Sequence, residues 1–263
     1  MTEDVSYEKD GSVSTIWLNR PESLNALTKT VRHELLAGLR QAERDGTVRC
    51  LVMRGRGRAF SVGQDLKELE AYYEERGPEL GRLVQEEYIP IVETLRSLSK
   101  PTIAVVEGPA VGGGMALALA TDFRLVGAKG RLVPGFVNVG LAPDTGTTFL
   151  LGRSIGYARA LSRCLTGQPI TADEMVQWGL ADDIASTPED LDQSLKSLTT
   201  RLSNGPTRAY ATIRRLFDQA QHLPLDAVLQ LERDAQDDLA GTRDHRAANR
   251  AFLTKSTPEF RGE

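Results

Sequence analysis

Cysteine and histidine are both scarce in this 263-residue sequence, and their scarcity narrows the chemistry it can support. The two cysteines, Cys50 and Cys164, have neither the number nor the spacing of a disulfide framework or a metal site. The three histidines, His33, His222 and His245, form no HExxH motif and have no paired cysteine or carboxylate motif nearby. We therefore expect no metal centre, and we interpret each histidine as a helix-surface residue.

An excess of positive charge and long apolar runs are also missing. The formal net charge is −4, so nothing indicates the basic face of a nucleic-acid binder. The longest apolar run, near residues 115–120, is too short to span a bilayer. The N-terminal stretch MTEDVSYEKD is polar and acidic, unlike a secretory signal. These absences predict a cytoplasmic protein that binds neither nucleic acid nor membranes.

The sequence does contain a regular alternation of strand and helix signals. Hydrophobic residues make up 40% and charged residues 26%, the balance of a globular protein. The segments GSVSTIWLN, VRCLVMRG, KPTIAVVEG and FRLVGA have the apolar, β-branched character of strands. Helical patterns lie between them, which predicts an α/β domain with largely parallel strands.

Three of the helical patterns lead to specific expectations. The first has Leu27, Val31, Leu35 and Leu39 at steps of four on one face, with Thr28 as a possible N-cap. A charged helical stretch follows from Leu66 to about residue 82. The segment LVQEEYIPIVETLRSLS predicts a helix that kinks or restarts near Pro90, because proline lacks an amide donor. After residue 200 only three helices are predicted, so we divide the chain into a core, 1–200, and a helical C-terminal region, 201–263.

Two glycine-containing segments, AFSVGQDLK and EGPAVGGGMALA, each follow a predicted strand. Gly63 and the run Gly112 to Gly114 permit backbone conformations and close contacts that a Cβ would forbid. A helix begins at the second segment, so free amides and the positive end of its dipole suit an oxygen that becomes negative during a reaction. Tight helix packing would explain the same glycines equally well.

At these segments the sequence resembles the enoyl-CoA hydratase/isomerase (crotonase) superfamily. The motifs NRPESLNAL, GRAFSVGQDLKEL, GPAVGGGMALALATDFRL, GLAPDTGTTFLLGR and TADEMVQWGLADDI occur in the family's order, and the resemblance continues to AFLTKSTPEFRGE. It implies an α/β fold built as a spiral of ββα units, with a helical C-terminal trimerisation region. It also implies an acyl-CoA thioester substrate, no cofactor other than the CoA that arrives with the substrate, and a homotrimer or a dimer of trimers.

The resemblance also implies roles for individual residues. The backbone N–H groups of Gln64 and Gly113 correspond to the family's oxyanion hole, and Asp144 to its proton-carrying carboxylate. The helix from Leu66 to about residue 82 is expected to line the acyl pocket. Substrate or CoA contacts are expected at Ser23, Leu24, Ala26, Ser61, Val62, Asp65, Leu66, Phe136 and Lys255. For Lys255, and for the arginines of RGRGR at 54–58, an ordinary surface position is an alternative to a phosphate contact.

The hydratases of the family use two glutamates, and both are missing here. The corresponding positions are Ala116 and Phe136, so the addition of water has no obvious proton carriers. Asp144, in GLAPDTGTTF, remains, as in the branch that contains the phenylacetate-pathway ring-opening isomerases. One carboxylate suffices to move a proton between two carbons. The sequence therefore predicts an acyl-CoA isomerase that shifts a double bond, or opens a strained ring, beside the thioester.

Other interpretations remain open at this point. Asp144 could be the N-cap of the helix that follows it. PDTGTTF also resembles aryl-CoA dehalogenases, although these need a base, usually a histidine. GRSIG at 152–156 matches the GxSxG pattern of an esterase nucleophile, but Ser154 follows a helical run instead of a strand. An acyl-CoA-binding scaffold without catalysis would fit the two missing glutamates. A hydratase-type lyase of the same fold is a further alternative, although the missing glutamates argue against it.

Overall fold

A six-stranded sheet and a three-stranded sheet form the centre of the computed structural model, which describes residues 3–263. The strands are β1 Val5–Asp10, β2 Val13–Leu18, β3 Cys50–Gly55, β4 Thr102–Val106, β5 Pro109–Val111, β6 Phe123–Gly127, β7 Arg131–Val133, β8 Ile170–Thr171 and β9 Ile184–Ala185. The helices are α1 Lys29–Arg44, α2 Leu66–Arg76, α3 Leu80–Leu83, α4 Ile89–Ser97, α5 Gly113–Ala120, α6 Thr147–Ile155, α7 Tyr157–Thr166, α8 Ala172–Gln177, α9 Pro188–Ser203, α10 Thr207–Ala220, α11 Leu225–Ala240 and α12 Arg243–Thr254. A π-helical turn spans Val84–Tyr88, and 3₁₀ turns span Pro21–Ser23 and Gly135–Val139.

The larger sheet has the order β1-β2-β3-β4-β6-β9 and is parallel except for the β1–β2 pair. Its central strands β3 and β4 are buried apart from the half-buried Arg54. Burial on both faces explains why these strands read as continuous apolar runs. The prediction of an α/β domain with largely parallel strands is confirmed.

Strand β1 is an addition that the sequence pattern did not predict. Its sequence, VSYEKD, carries three charged residues, and its last three positions are exposed at the edge of the sheet. A tight turn at Gly11, with φ of +55°, connects it to β2. The strand forms because it pairs with β2 along its whole length, and such pairing does not require an apolar sequence.

Helix α1 buries the predicted apolar face, except that Leu27 lies before the helix, in a β-bridge with Gln64. Val31, Leu35 and Leu39 are fully buried, and the Thr28 side chain caps the helix by accepting a 3.3 Å hydrogen bond from the Val31 N–H. The same buried face includes Arg32, whose side chain is 1% exposed. A charged residue in this position requires several hydrogen-bonding partners.

The segment from residue 66 to 97 forms three α-helices, and a π-helical turn joins the second of them, α3, to the third, α4. The single helix predicted from Leu66 to about residue 82 is wrong, because Gly77, at φ +72°, and Pro78 separate α2 from α3. The predicted irregularity near Pro90 is confirmed. The Ile89 N–H donates to the Val84 carbonyl, an i to i+5 bond, just before proline interrupts the amide series.

The second glycine segment contains a short strand before its helix. We predicted that it would turn directly into a helix, but β5 comes first and pairs with β7. The Gly112 N–H then donates to the Val133 carbonyl at 2.9 Å. All eight residues of α5 are buried, and their mainly small side chains allow the helix to lie in the core. The start of α5 is therefore held by the smaller sheet.

The three helices predicted after residue 200 correspond to α10, α11 and α12. The proposed boundary at residue 200 lies inside α9, which continues to Ser203. Across residues 3–263, no helix combines the length and apolar character needed to span a membrane.

Candidate active site

A cavity of about 380 Å³ lies where α2, α3, the π-helical turn and the start of α5 meet. Its lining is mainly apolar, with Asp144 as the only carboxylate among the described residues that form it. The lining residues are Val62, Gln64, Leu66, Leu69, Tyr73, Leu80, Val84, Tyr88, Val111, Gly112, Gly113, Gly135, Phe136, Asn138, Val139, Leu141 and Asp144. This composition suits an apolar substrate group that carries one reacting polar end.

Six of the predicted site residues contribute to this cavity. They are Val62, Gln64, Leu66, Gly113, Phe136 and Asp144. Six others are outside its lining, namely Ser23, Leu24, Ala26, Ser61, Asp65 and Lys255. The cavity thus unites both predicted oxyanion residues with the predicted proton carrier, although these positions are separated by up to 80 residues of sequence.

Two isolated β-bridges align three loops beside the cavity. Leu27 pairs in parallel with Gln64, and Ser61 pairs in parallel with Ala110. In the second bridge, the Val111 N–H donates to the Ser61 carbonyl at 2.8 Å. The loop after β3 is therefore held between the chain leading into α1 and the strand leading into α5.

The first bridge determines the direction of the Gln64 amide. The Leu27 N–H donates to the Gly63 carbonyl at 2.7 Å, and the Asp65 N–H donates to the Leu27 carbonyl at 3.4 Å. A parallel bridge thus uses the groups on either side of Gln64, so its own N–H points away from Leu27. This N–H has no acceptor within residues 3–263.

The second candidate amide is at the beginning of α5. Gly113 is the first residue of this helix, so its N–H has no partner from the preceding turn, and no other described residue accepts it. Close contact between the two loops requires glycine. A Cβ on Gly63, which has φ of +80°, would lie 2.7 Å from the Val111 carbonyl oxygen and 3.1 Å from the Gly113 nitrogen. The two unpaired amides are consequently neighbours.

The Gln64 side chain is held by hydrogen bonds beside this pair of amides. Its Oε1 accepts hydrogen bonds from the Arg32 Nη1 at 3.0 Å and from the Tyr88 hydroxyl at 2.6 Å. Its Nε2 donates to the Asp65 carbonyl at 3.2 Å. Burial raises the pKa of Tyr88, so its phenol stays protonated and remains a donor. The side chain forms part of the cavity wall and is fixed by partners that the motif does not reveal.

Asp144 is partly buried at the edge of the cavity. Desolvation raises the pKa of its carboxyl group, while a 2.7 Å hydrogen bond from the Thr145 hydroxyl opposes that shift. The alternative that Asp144 caps a helix is wrong. Gly146 occupies the cap position of α6, and Asp144 accepts the Thr147 N–H through its backbone carbonyl. Its carboxylate is therefore available for proton transfer.

The two positions that carry glutamate in hydratases lie in apolar surroundings. Ala116 is fully buried inside α5, and Phe136 is 7% exposed in the wall of the cavity. Apart from Asp144, the described cavity lining contains no carboxylate that could replace the missing pair. The arrangement provides one carboxylate, Asp144, together with two unpaired amides.

The remaining predicted contacts have local structural partners. Ser61 donates to the Asn25 carbonyl at 2.7 Å, and the Leu24 carbonyl accepts the Val62 N–H at 3.1 Å. Asp65 caps α2 through the amides of Lys67 and Glu68, and its hydrogen bonds lower the pKa of its carboxyl group despite partial burial. Ser23 and Ala26 belong to the same support, since the Ala26 N–H donates to the Ser23 carbonyl. Lys255 lies exposed at the end of α12.

The arginines of RGRGR are largely engaged on the protein itself. Arg54 forms ion pairs with Glu107 and Asp192, and Arg56 pairs with Glu8. Both guanidinium groups also stack over the Trp17 ring. These contacts favour a structural role for the two arginines over a phosphate contact.

The esterase alternative is wrong, because Ser154 lies inside α6 and donates to the Leu150 carbonyl at 2.8 Å. No strand-to-turn elbow precedes this serine. His33, His222 and His245 are exposed, and none belongs to the described cavity lining. A histidine base, as a dehalogenase would need, is therefore not present at this site.

Comparisons with known proteins agree with this geometry. The family model "Enoyl-CoA hydratase/isomerase" matches residues 8–263. The chain is 36% identical to the 1,2-epoxyphenylacetyl-CoA isomerase of Escherichia coli over the full length of both proteins. It is also 36% identical to a Rhodobacter capsulatus protein assigned as an enoyl-CoA hydratase, over 98% of each chain.

A crystal structure from Mycobacterium abscessus, assigned to the enoyl-CoA hydratase/isomerase class, superimposes with a TM-score of 0.93 and 36% identity. The match covers 98% of this chain and all of the other. The predicted crotonase-like α/β fold is thereby confirmed. The chain belongs to the enoyl-CoA hydratase/isomerase family.

Proposed function

We propose that this protein is an acyl-CoA isomerase that moves a double bond, or opens a strained ring, next to the thioester. Members of the family act on acyl-CoA thioesters, but relatives of equal identity carry isomerase and hydratase names. The choice between an isomerase and a hydratase therefore depends on the residues of the cavity. The observation that carries it is a cavity with one carboxylate, Asp144, together with two unpaired amides.

The reaction follows from these groups. With a 3-enoyl thioester, the Asp144 carboxylate takes a proton from the α carbon, and the electron pair of that C–H bond delocalises onto the thioester oxygen. The amides of Gln64 and Gly113 hold this oxygen while it is negative. The same carboxyl group then returns the proton to the γ carbon, giving the conjugated 2-enoyl thioester. Raising the pKa of Asp144 makes its carboxylate a stronger base.

The contacts of the CoA and acyl parts of the substrate are inferred from the resemblance to the family. We assign CoA contacts to Ser23, Leu24, Ala26 and Lys255, and contacts near the thioester to the loop residues Ser61, Val62, Asp65 and Leu66, with Phe136 against the acyl group. The apolar wall formed by α2, α3 and the π-helical turn would then surround the acyl chain. The proposed reaction requires no metal or redox cofactor, because CoA is part of the substrate.

We also propose that the chain assembles as a homotrimer or a dimer of trimers. Several helices expose large apolar side chains in the isolated chain, which is typical of surfaces that meet another subunit. The most exposed include Tyr157 and Leu165 on α7, Phe217 on α10, and Phe252 and Leu253 on α12. Molar mass measured by light scattering tests this assembly, and a monomer across micromolar concentrations would contradict it.

The decisive experiment compares the wild type with Asp144→Asn on 3-enoyl-, 2-enoyl- and aryl-CoA thioesters. We expect the wild type to convert 3-enoyl into 2-enoyl thioesters, with weak or absent hydration. Asp144→Asn should lose at least about 100-fold in kcat, because proton transfer by one positioned group contributes on the order of 10²–10⁴-fold. Asp173→Asn, which removes an exposed acid outside the cavity, is the matched control.

Full activity in Asp144→Asn would overturn this mechanism, and efficient hydration would overturn the argument from Ala116 and Phe136. Tight thioester binding without turnover of any substrate would instead identify a scaffold. A substrate deuterated at the α carbon adds a further test. A single carboxylate should deliver part of this deuterium to the γ carbon of the product, in competition with exchange into water.

A further inference from the structure

Arg32 is a buried cation that lies behind the cavity wall without lining the cavity. Its guanidinium group has five N–H bonds, and four of them donate hydrogen bonds to other residues. The Nε donates to Glu87 at 2.8 Å, and Nη2 donates to Glu68 at 2.9 Å. Nη2 also lies 2.8 Å from the same Glu87 oxygen, as part of the ion pair. The two Nη1 donors bind the Leu27 carbonyl at 2.6 Å and the Gln64 Oε1 at 3.0 Å.

Arg32 therefore holds Gln64 from two directions. One contact is with the Gln64 side chain. The other is with the carbonyl of Leu27, the residue whose β-bridge orients the Gln64 peptide. The Tyr88 hydroxyl donates to the same Oε1 atom, and the Arg32 guanidinium stacks over the Tyr88 ring at 5.1 Å. The Gln64 N–H is thus fixed by a network centred on one side chain.

The same guanidinium also connects two separate parts of the cavity wall to α1. Glu68 is on α2, which contributes Leu69 and Tyr73 to the wall. Glu87 is in the π-helical turn, which contributes Val84 and Tyr88. Two pieces of the acyl-binding wall are consequently tied to the peptide that would bind the thioester oxygen.

The charges of Arg32, Glu68 and Glu87 indicate that these residues act on the oxyanion hole through their geometry and not through a net charge. Glu68 and Glu87 together carry two negative charges against the one positive charge of Arg32, so the cluster supplies no net positive charge to a developing oxyanion. Lysine could not replace the arginine, because an ammonium group has three donors and no planar fork. The role of Arg32 is to fix the relative positions of four acceptor groups that belong to separate segments of the chain.

We propose that Arg32 is the positioning residue of the oxyanion hole, fixing the Gln64 amide through its contacts with Gln64 and Leu27 and linking that amide to α2 and the π-helical turn. The inference rests on the proposed function in one respect, namely that a thioester oxygen binds between the amides of Gln64 and Gly113. It does not depend on which reaction follows.

The test measures the carbonyl stretch of a saturated acyl-CoA thioester, labelled with ¹³C at the carbonyl, by infrared difference spectroscopy. A saturated thioester cannot isomerise, so the signal reports the hydrogen bonds to the oxygen alone. The wild type should lower the stretching frequency relative to free thioester, and Arg32→Lys should reverse much of that shift. On a reactive substrate, Arg32→Lys should lower kcat by about 10- to 100-fold, since a misplacement of ~1 Å can cost on the order of 100-fold. KM should stay within about threefold, because the hydrogen bonds to the oxygen become much stronger when it turns negative in the transition state.

Arg49→Lys is the matched control for general destabilisation. Arg49 also binds three groups on distant segments, the carbonyls of Gly205 and Phe260 and the hydroxyl of Thr207, but it lies outside the cavity. Its substitution should lower Tm while leaving the carbonyl shift and kcat unchanged. Gln64→Met removes the side-chain acceptor of Arg32 and keeps the positive charge of Arg32. It therefore tests the contact between Arg32 and Gln64 even if Arg32→Lys does not fold. The double variant should lose no more carbonyl shift than Arg32→Lys alone.

An unchanged carbonyl shift in both Arg32→Lys and Gln64→Met would overturn the proposal. A wild type that binds the thioester without any shift would overturn it as well, because the amides would then not meet the oxygen. A shift that depends on Arg32, in a protein that isomerises no enoyl thioester, would instead refute the proposed function and leave the positioning role intact.

Discussion

The Thr145 hydroxyl donates a 2.7 Å hydrogen bond to the Asp144 carboxylate, the only carboxylate in the described lining of the cavity. Thr145 itself has φ of +52°, a conformation that is rare for a β-branched residue. Burial raises the pKa of Asp144, and the hydrogen bond from Thr145 lowers it. The balance between these two effects sets the strength of Asp144 as a base.

This balance predicts the pH dependence of the reaction. Asp144 must be ionised to accept a proton, so kcat/KM should fall as the pH decreases, with a midpoint above the ordinary value of 3.8. Thr145→Val removes a bond that favours the ionised form, and should move the midpoint to higher pH. Thr145→Ser keeps the hydroxyl and should leave the midpoint near its wild-type position. An identical midpoint in Thr145→Val and the wild type would contradict this account.

The raised pKa of Asp144 also predicts an effect on stability without any substrate. A carboxyl group whose pKa is higher in the folded than in the unfolded state destabilises the fold at pH values above both. Asp144→Asn should therefore have a higher Tm than the wild type at pH 7, and the difference should vanish as the pH falls below about 3.9, where both forms are neutral.

The pKa of Asp65 is shifted in the opposite direction, so Asp65→Asn should lower Tm at pH 7. Thermal unfolding of the three proteins between about pH 3.5 and pH 8, in steps of roughly one unit, measures both effects. A lower Tm for Asp144→Asn at neutral pH would exclude a destabilising carboxylate at this site.

Gly63→Ala should separate backbone strain from damage to the oxyanion hole. The new Cβ would lie 2.7 Å from the Val111 carbonyl oxygen and 3.1 Å from the Gly113 nitrogen, forcing the two loops apart. We expect kcat to fall by about 100-fold or more, as when one oxyanion donor is removed. Gly156→Ala is the matched control, because Gly156 has φ of +82° but a Cβ there would meet no atom within 4 Å.

Both glycine variants should lose on the order of 1–3 kcal/mol of stability, because residues with a Cβ rarely adopt the positive φ found at Gly63 and Gly156. Gly63→Ala should lose more because of its contacts. Only Gly63→Ala should lose activity per folded molecule. Equal kcat values for the two variants would show that the contact between the loops is not needed for catalysis.

The absence of a histidine from the described cavity lining predicts the outcome with haloaryl-CoA thioesters. Without a base to hydrolyse an aryl ester of Asp144, at most one equivalent of halide should be released per enzyme. Ion chromatography of chloride or bromide over many enzyme equivalents measures this. Continuous halide release would revive the dehalogenase alternative, and its loss in Asp144→Asn would assign Asp144 as the nucleophile.

The parts of the site that could be predicted from sequence are those carried by short motifs. Gln64, Gly113 and Asp144 each lie in a local pattern of small residues, and the structure brings all three to one cavity. Arg32 and Tyr88 could not be found in this way. The partners of Arg32 on Gln64 and Glu87 are 32 and 55 residues distant, so in the sequence it resembles any helix-surface arginine.

Dependence on contacts between distant segments also explains the errors in the predicted fold. Strand β1 reads as a charged surface segment because its pairing with β2, and not apolar burial, makes it a strand. The segment 66–82 reads as one helix because its composition is helical throughout, although Gly77 and Pro78 contain a local signal for the break. Contacts between distant segments decide what local propensity leaves open.

The break at Gly77 and Pro78 has a consequence for how the substrate range of this enzyme can change. The break lies on the surface, a Cβ at Gly77 would meet no atom within 4 Å, and the helices on either side supply Leu69, Tyr73 and Leu80 to the acyl wall. Exposed turns of this kind tolerate insertions and deletions. A change in the chain length between α2 and α3 would therefore reshape the part of the cavity proposed to bind the acyl group. The residues that would transfer the proton and bind the oxyanion lie on separate, firmly paired segments.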